Sequence, residues 1–383
     1  MSVLFFLPWT ATNEPVQLGP MRLIPYVRGQ APGTIHGISQ NTIDAVLGSY
    51  GDPAYFPARA TSVHVANASI ITWNDDTEGL ELPEDRITAR LEQANYIAFA
   101  ALSERRFCSH AGYCNADGYQ VIAQRFSEDR PGATTLITRR RDGHGQHYVG
   151  DAPVPRFIRP HHVDSFFPPQ VDAGLVAALS ALPAGGLKER LDEAIDAFLR
   201  ANTDSPSMRE RSEMVLMRVA FETLLDSTHE TGDLRQRFRE HFQGEVPEPA
   251  AWPAGLLDEA RWRARWTRNV ERPLDAWIQD FCAARNSAAH GPRGTRESPL
   301  WQRHNHLLLS SWLFPLMVKK VLATEGLYQL KEEDEAARRS FENFFGHDLL
   351  SYTDEDERCL WWSRVESAIL LPVFAARIYT GLE

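Results

Sequence analysis

The hydrophobic pattern is clearest between Pro273 and Pro292, where apolar residues recur at intervals of three and four. This spacing predicts one helix with a single buried face. Pro273 suits the first turn of such a helix, and the pair Gly291-Pro292 predicts its end. The apolar positions are Leu274, Trp277, Ile278, Phe281, Cys282, Ala288 and Ala289.

Helical periodicity also extends through most of the chain after residue 171. One of these helices is expected to begin at Pro206, with Ser205 as its cap, and a later one at Ser298-Pro299. Pro315 predicts a kink in the later helix. Besides the helix at 273–292, the predicted helices cover residues 187–201, 206–226, 232–243, 256–270, 298–321, 331–345 and 361–379.

The first 165 residues have a different pattern, in which short β-branched or alternating runs are separated by turn residues. These runs predict strands at the start of the chain and at 21–26, 62–73, 119–126 and 134–138, whereas 83–102 predicts a helix. We therefore predict an α+β protein of two domains. The first is a β-rich or α+β domain over residues 1–165, and the second is a helical domain over residues 171–383.

Arg285 lies on the apolar stripe of the 273–292 helix, three residues after Cys282 and four after Phe281. A charge buried there without a partner is strongly destabilising, so this arginine must be paired or functional. His290 follows five residues later, and five helical steps of ~100° place it roughly 140° around the helix from Arg285. The two groups can therefore share a site only if the helix end unwinds or a second chain contributes.

The composition is that of a soluble globular protein, with 43% hydrophobic and 24% charged residues. No apolar run reaches the ~20 residues that a membrane helix needs. The apolar start of the chain lacks a basic segment and is interrupted by Pro8, so we interpret it as a strand and not as a signal peptide. Four cysteines in 383 residues do not suggest a disulfide framework, which favours a reducing cytoplasm.

The formal net charge of −11 argues against a protein that coats nucleic acid non-specifically. The charge is unevenly distributed, however. Residues 251–320 contain eleven Lys or Arg and six Asp or Glu, a local net charge of +5. Such a basic region can hold phosphates locally within an acidic protein, although a solvated helix face would have the same composition.

The sequence DAWIQDFCAARNSAAHG, with Arg285, the polar residue Asn286 and then His290, resembles the motif of the HEPN superfamily of helical-bundle ribonucleases. This segment is most similar to the ApeA-like branch of the superfamily, which is associated with anti-phage defence. The resemblance covers roughly residues 205–325 and is strongest at 274–291. It implies a HEPN-like core at 205–325, followed by a C-terminal helical extension.

The resemblance implies a homodimeric endoribonuclease that needs no metal or other cofactor and cleaves RNA by attack of the 2′-hydroxyl. Arg285 and His290 would be catalytic, with Asn286 orienting the histidine or the phosphate. Glu222, in the segment AFETLL, would be a partner of Arg285. The N-terminal domain would restrain the nuclease or sense a phage-derived or nucleotide trigger. The expected RNA-binding residues are Arg261, Arg265, Arg268 and Arg293.

Two other interpretations of the sequence remain open. The helical domain could be a non-catalytic binding or dimerisation module, acting as a sensor or scaffold, in which Arg285 only anchors an internal carboxylate. Cys108, His110 and Cys114 could begin a zinc site, but a fourth ligand at standard spacing is not evident. Phosphate-loop, dinucleotide-binding, nucleophile-elbow and H-E-x-x-H motifs are missing from the sequence.

Overall fold

The computed structural model describes residues 2–30, 35, 37–53, 63–75, 81–106, 113–127, 129, 131–132, 136–139, 145–148, 154–163, 170–242, 273–290 and 301–340. The chain forms two compact units. The first contains Met1–Arg105, Cys114–Ala181 and Thr203–Ser205, and the second contains Arg106–Tyr113, Leu182–Asn202 and Pro206–Glu383. Strands lie mainly in the N-terminal half and helices follow, so the predicted mixture of α and β structure is confirmed.

The strands belong to the first unit. They are β1 (Ser2–Leu7), β2 (Val16–Leu18), β3 (Met21–Val27), β4 (Tyr50–Asp52), β5 (Val63–His64), β6 (Asn67–Trp73), β7 (Ile122–Phe126), β8 (Leu136–Arg139), β9 (Gly145–Tyr148) and β10 (Phe157–Ile158). Five of them form an antiparallel sheet in the order β2-β3-β6-β1-β7. A smaller sheet has the order β10-β4-β5, and β8 pairs with β9.

The larger sheet is covered on both faces, which explains why β1 is an unbroken apolar run. Phe6 of β1 packs edge-on against Tyr50 of β4, with ring centroids 5.1 Å apart. The next residue back, Phe5, points to the opposite face, since successive strand residues alternate, and contacts the Trp73 ring and the Arg90 guanidinium. Successive side chains of β1 therefore pack into two separate layers of the core.

The helices are α1 (Gln40–Val46), α2 (Glu84–Glu104), α3 (Ala173–Ser180), α4 (Gly186–Ala201), α5 (Glu210–Leu224), α6 (Thr231–Phe242), α7 (Pro273–His290), α8 (Arg303–Thr324) and α9 (Glu332–Ser340). The predicted helix at 83–102 is confirmed as α2. Helix α3 contacts α2 and β2 and belongs to the first unit. The division therefore falls after α3, whereas we expected it between residues 165 and 171.

Helix α5 is central to the second unit and contacts α4, α7 and α8. Phe221 of α5 lies at the middle of this packing, with its ring centroid 5.1 Å from that of Phe238, 6.0 Å from Phe281 and 5.4 Å from Phe314. These rings come from α6, α7 and α8, so one aromatic side chain joins four helices. The broad apolar face of α5 in the sequence is accounted for by this position.

Two predicted helix starts were wrong. Helix α5 begins at Glu210 rather than Pro206, because residues 206–207 form a turn, and the Ser205 backbone N–H before it donates a hydrogen bond to Thr203 Oγ1. Helix α8 begins at Arg303, after an extended Gln302, rather than at Ser298-Pro299. Pro315 lies inside α8. The predicted helices at 256–270 and 361–379 lie outside the described residues.

Helix α8 is long and apolar enough, by length and composition alone, to cross a membrane. Its most apolar stretch is 67% buried inside the protein, however, which is the usual situation of a core helix. Lys319 of α8 is itself buried and donates a hydrogen bond to Asp334 of α9, with Nζ 3.0 Å from Oδ1. A buried ion pair of this kind fits a helix packed among other helices.

A second buried ion pair holds α6 against the start of α7. The Arg239 guanidinium forms two hydrogen bonds to the Asp275 carboxylate, with Nε 2.8 Å from Oδ1 and Nη2 2.6 Å from Oδ2. Asp275 is completely buried. Because the carboxylate has no access to water, its charge depends on the arginine.

We therefore expect Arg239→Met to lower the free energy of unfolding by about 3–5 kcal/mol, the usual cost of leaving a buried charge without its partner. Arg237→Met is the matched control on the same helix, since Arg237 is 43% exposed and its ion pairs are long. It should cost about 1 kcal/mol or less. Urea denaturation of both variants measures the difference, and equal losses would contradict this role for Asp275.

Candidate active site on helix α7

Helix α7 begins at Pro273 and extends to His290, as the sequence predicted. Its apolar stripe is buried at Leu274, Trp277, Ile278, Phe281 and Cys282. The helix is held by packing on α5 and α6, and it presents Arg285 and Asn286 near its C-terminal end, where the burial pattern changes to half-buried positions. The last turn therefore lies at the margin of the core.

Arg285 is half-buried, and its Nη1 donates a hydrogen bond to Oδ1 of the adjacent Asn286 at 3.1 Å. Its Nε is buried and has no hydrogen-bond partner among the described residues. An amide oxygen carries no formal charge, so Asn286 orients the guanidinium without neutralising it. The arrangement leaves a positioned cation with hydrogen-bonding capacity to spare.

The expected pairing of Glu222 with Arg285 is wrong within the part of the chain that the structure describes. Glu222 accepts a hydrogen bond from Arg218, with Arg218 Nε 2.6 Å from Glu222 Oε1. Both residues lie on α5, four positions apart, so they face each other across one helical turn. Arg218 is almost completely buried, and its Nη2 also donates to the His229 carbonyl oxygen at 2.7 Å. The carboxylate therefore neutralises Arg218.

Arg218 is the residue that the sequence analysis missed. The signal was available, because an arginine four residues before a glutamate on a predicted helix is a standard ion-pair spacing. Its Nη1 is buried without a hydrogen-bond partner among the described residues.

Cys282 lies between these charged groups. Burial raises the pKa of its thiol above the ordinary value, while Arg218 and Arg285 act in the opposite direction and Glu222 adds to the rise. The Thr231 side chain, at the start of α6, hydrogen-bonds the sulfur. The thiol therefore stays protonated at neutral pH, which excludes a thiolate nucleophile at this position.

His290 is the last residue of α7, and its side chain lies outside the described part of the structure. The helix continues to His290 without unwinding first. Its position is therefore still roughly 140° around the axis from Arg285, as helical geometry requires. Of the two arrangements that could bring the groups together, an unwound helix end and a second chain, the continuous helix favours the second.

His306, sixteen residues after His290, is completely buried in α8. Its Nε2 lies 3.1 Å from Asp280 Oδ2, and the same carboxylate oxygen accepts a hydrogen bond from the Trp301 backbone N–H. His306 also packs against the rings of Trp277 and Phe281. These contacts fix α7 to the start of α8, so His306 and Asp280 are structural.

A groove of about 620 Å³ lies beside Glu222 between α4 and α5. Four carboxylate residues line it, against one arginine and one histidine, and their charges would repel an RNA backbone. RNA is therefore not expected to enter from this side. The ionisable residues that line the groove are Glu189, Arg190, Glu193, Glu222, Asp226 and His229.

The expected RNA-binding residues Arg261, Arg265, Arg268 and Arg293 lie outside the described residues, as do Cys108 and His110. Cys114 is described, and burial raises its pKa to about 11, which keeps it a neutral thiol. Its sulfur contacts the Ala101 carbonyl oxygen at 3.6 Å. In the part of the chain that the structure covers, histidine, cysteine and acidic side chains do not assemble into a group of three able to hold a metal ion.

Comparison of the chain with protein-family models, with curated proteins and with solved structures finds no match.

The Arg218–Glu222 pair can be tested through stability. Glu222→Gln should lower the free energy of unfolding by about 3–5 kcal/mol, because it removes the charge that neutralises a buried guanidinium. Glu193→Gln, an exposed change on the wall of the same groove, is the control and should have an effect within about 0.5 kcal/mol. Chemical denaturation measures both.

Replacing both members with apolar residues, Arg218→Met with Glu222→Met, should recover most of the loss, since a buried ion pair can be exchanged for apolar packing at little cost. A double variant as unstable as Glu222→Gln alone would contradict the pairing, because it would show that Glu222 is needed by another group.

Proposed function

We propose that the protein is a metal-independent endoribonuclease of the HEPN type, acting as a homodimer. One observation carries the proposal. Arg285 is a half-buried arginine that is oriented by Asn286 and has no carboxylate partner among the described residues, on a helix that ends at His290. Structural arginines at helix interfaces are normally neutralised, so this one is available for an anionic substrate.

The chemistry needs two groups. The imidazole of His290 removes the proton from a ribose 2′-hydroxyl, and the resulting oxygen attacks the adjacent phosphorus. The Arg285 fork binds two non-bridging oxygens and stabilises the negative charge that develops on them. The bond from phosphorus to the 5′-oxygen of the next nucleotide then breaks. The products carry a 2′,3′-cyclic phosphate and, after protonation of the leaving oxygen, a 5′-hydroxyl.

Helical geometry supports the proposed dimer. Arg285 and His290 of one copy are roughly 140° apart around α7, which disfavours a single helix directing both at one phosphate. Two α7 ends facing each other across a two-fold axis would place the arginine of one copy opposite the histidine of the other. In this arrangement the basic residues Arg261, Arg265, Arg268 and Arg293 would hold the RNA backbone on either side.

The wider role that we propose is that of an anti-phage, abortive-infection or toxin-type effector in the cytoplasm, with the first unit holding the nuclease at a low but measurable basal rate until a trigger arrives. This role rests on the resemblance of the 274–291 segment to the ApeA-like HEPN branch. A free ribonuclease would arrest growth, which gives a reason for attaching it to a second compact unit in the same chain.

Purified full-length protein should cleave single-stranded RNA in the presence of EDTA and leave 2′-deoxy substrates intact. We expect Arg285→Ala and His290→Ala each to lower the rate about 100-fold or more, because each removes one of the two catalytic groups. Gel analysis of a labelled RNA, with mass spectrometry of the cyclic phosphate end, measures the reaction. Growth arrest on overexpression is the corresponding test in cells.

Arg156→Ala with His161→Ala is the matched control. This pair has the same five-residue spacing, but both side chains are exposed and lie outside any helix. The control should retain wild-type cleavage. Cleavage that survives loss of Arg285 and His290 would refute the mechanism, and absence of cleavage by a wild-type dimer in every RNA tested would favour the non-catalytic binding module.

The shared site makes a separate prediction. Co-expression of Arg285→Ala and His290→Ala chains under different tags should restore about a quarter of the wild-type activity in the mixed population. Half of the dimers are then mixed, and each mixed dimer has one complete pair. The cleavage assay on the whole population measures this recovery, and mixed dimers isolated by tandem purification should have about half of the wild-type activity. A mixed dimer without activity would show that one chain supplies both groups.

A further inference from the structure

The first unit contains a cavity of about 320 Å³ beside the larger sheet. Its wall combines apolar surface from Pro8, Pro25 and Val65 with the aromatic residues Trp9 and Tyr26. Its size and mixed lining are typical of sites for small molecules. Nothing in the proposed nuclease reaction uses this cavity.

The charges on the cavity wall balance. Among the described lining residues the ionisable acidic and basic members are Asp52 and Arg159, and they are paired, with Arg159 Nε 2.7 Å from Asp52 Oδ1. Arg159 is buried, whereas about a third of the Asp52 side chain is exposed. A phosphate or carboxylate would therefore meet an exposed carboxylate and an arginine that is already paired. This balance selects against an anion and favours an uncharged ligand.

Two polar atoms on the lining residues have no hydrogen-bond partner in the described part of the chain. They are the indole Nε1 of Trp9 and the hydroxyl Oγ1 of Thr12, on side chains that are 5% and 8% exposed. An indole N–H can only donate, so it requires an acceptor. Buried polar groups without partners are unusual and costly, and a ligand that supplies the partner would remove that cost.

Thr10 gives an internal comparison. It is as buried as Thr12 and lies two residues before it, but its hydroxyl donates a hydrogen bond to the Gly118 carbonyl oxygen. The same short segment therefore contains one satisfied threonine hydroxyl and one unsatisfied one. Thr12, and not Thr10, belongs to the lining of the cavity, and its enclosed hydroxyl would reach a ligand there by rotation about the Cα–Cβ bond.

We propose that this cavity binds a small, uncharged cyclic amide, a flat ring that presents a carbonyl oxygen next to an N–H. The carbonyl would accept from Trp9 and Thr12. The ring N–H would donate to the exposed oxygen of Asp52, whose Oδ2 has no partner among the described residues. The apolar wall would contact the faces of the ring. The site is independent of Arg285, and its failure would leave the nuclease proposal unaffected.

Uracil is the probe, and orotate, the same ring with an added carboxylate, is the anionic control. Ligand-observed NMR on the full-length protein should give a dissociation constant of about 1 mM or tighter for uracil, which is reasonable for so small a molecule. Orotate should bind at least about tenfold more weakly, a difference of about 1.4 kcal/mol. The Arg285→Ala chain should bind uracil like the wild type.

Three variants separate a binding role from a structural one. Thr12→Val should leave the melting temperature unchanged or raised, because it removes an unsatisfied hydroxyl, and should weaken uracil binding. Thr12→Ser, which keeps the hydroxyl, should retain binding. Thr10→Val should lower the melting temperature by several degrees and leave the uracil affinity unchanged.

Three results would overturn the proposal. The first is no uracil signal at millimolar concentration. The second is orotate binding as tightly as uracil. The third is a Thr12→Val chain that is destabilised as much as Thr10→Val, which would show that the Thr12 hydroxyl has a structural partner.

Discussion

The cost of burying a positive charge governs the organisation of the helical unit. Three buried or half-buried cations in it have a carboxylate within hydrogen-bond distance: Arg218 has Glu222, Arg239 has Asp275 and Lys319 has Asp334. Each pair joins adjacent turns or neighbouring helices, so neutralisation and helix packing are achieved by the same contacts. Arg285 differs, because the described residues give it only the neutral amide of Asn286. Arg285 therefore contrasts with these three cations, each of which has a carboxylate beside it.

The sequence was most reliable where pattern and helix-end signals agreed. The bounds of α7 were predictable, because apolar spacing, the proline in its first turn and the Gly291-Pro292 terminating signal all agreed. The start of α5 was not, since Ser205-Pro206 has good capping chemistry but lies in a turn that follows a hydrogen bond from the Ser205 N–H to the Thr203 hydroxyl. A local side-chain contact of this kind leaves no periodic trace. It appears only when the turn is built.

The candidate site shows a similar division. The burial of the stripe before Arg285 followed from spacing alone, because helical periodicity determines which residues share a face. The partner of Glu222 could not be predicted from spacing, since two arginines were available. Arg218 lies four residues away on the same helix, whereas Arg285 lies on another helix. Glu222 pairs with Arg218, because a contact within one helix has a lower entropic cost than one between two helices.

Helix α7 is tethered twice before it reaches Arg285. Asp275 holds its first turn to α6, and Asp280 holds its middle to His306 and to the Trp301 backbone. Both carboxylates are completely enclosed, so water does not compete for either tether. The two contacts restrict rotation of the helix, and the position of Arg285 is fixed when the bundle folds. In the proposed nuclease, control of such a rigid element would have to work by occlusion or by keeping copies apart.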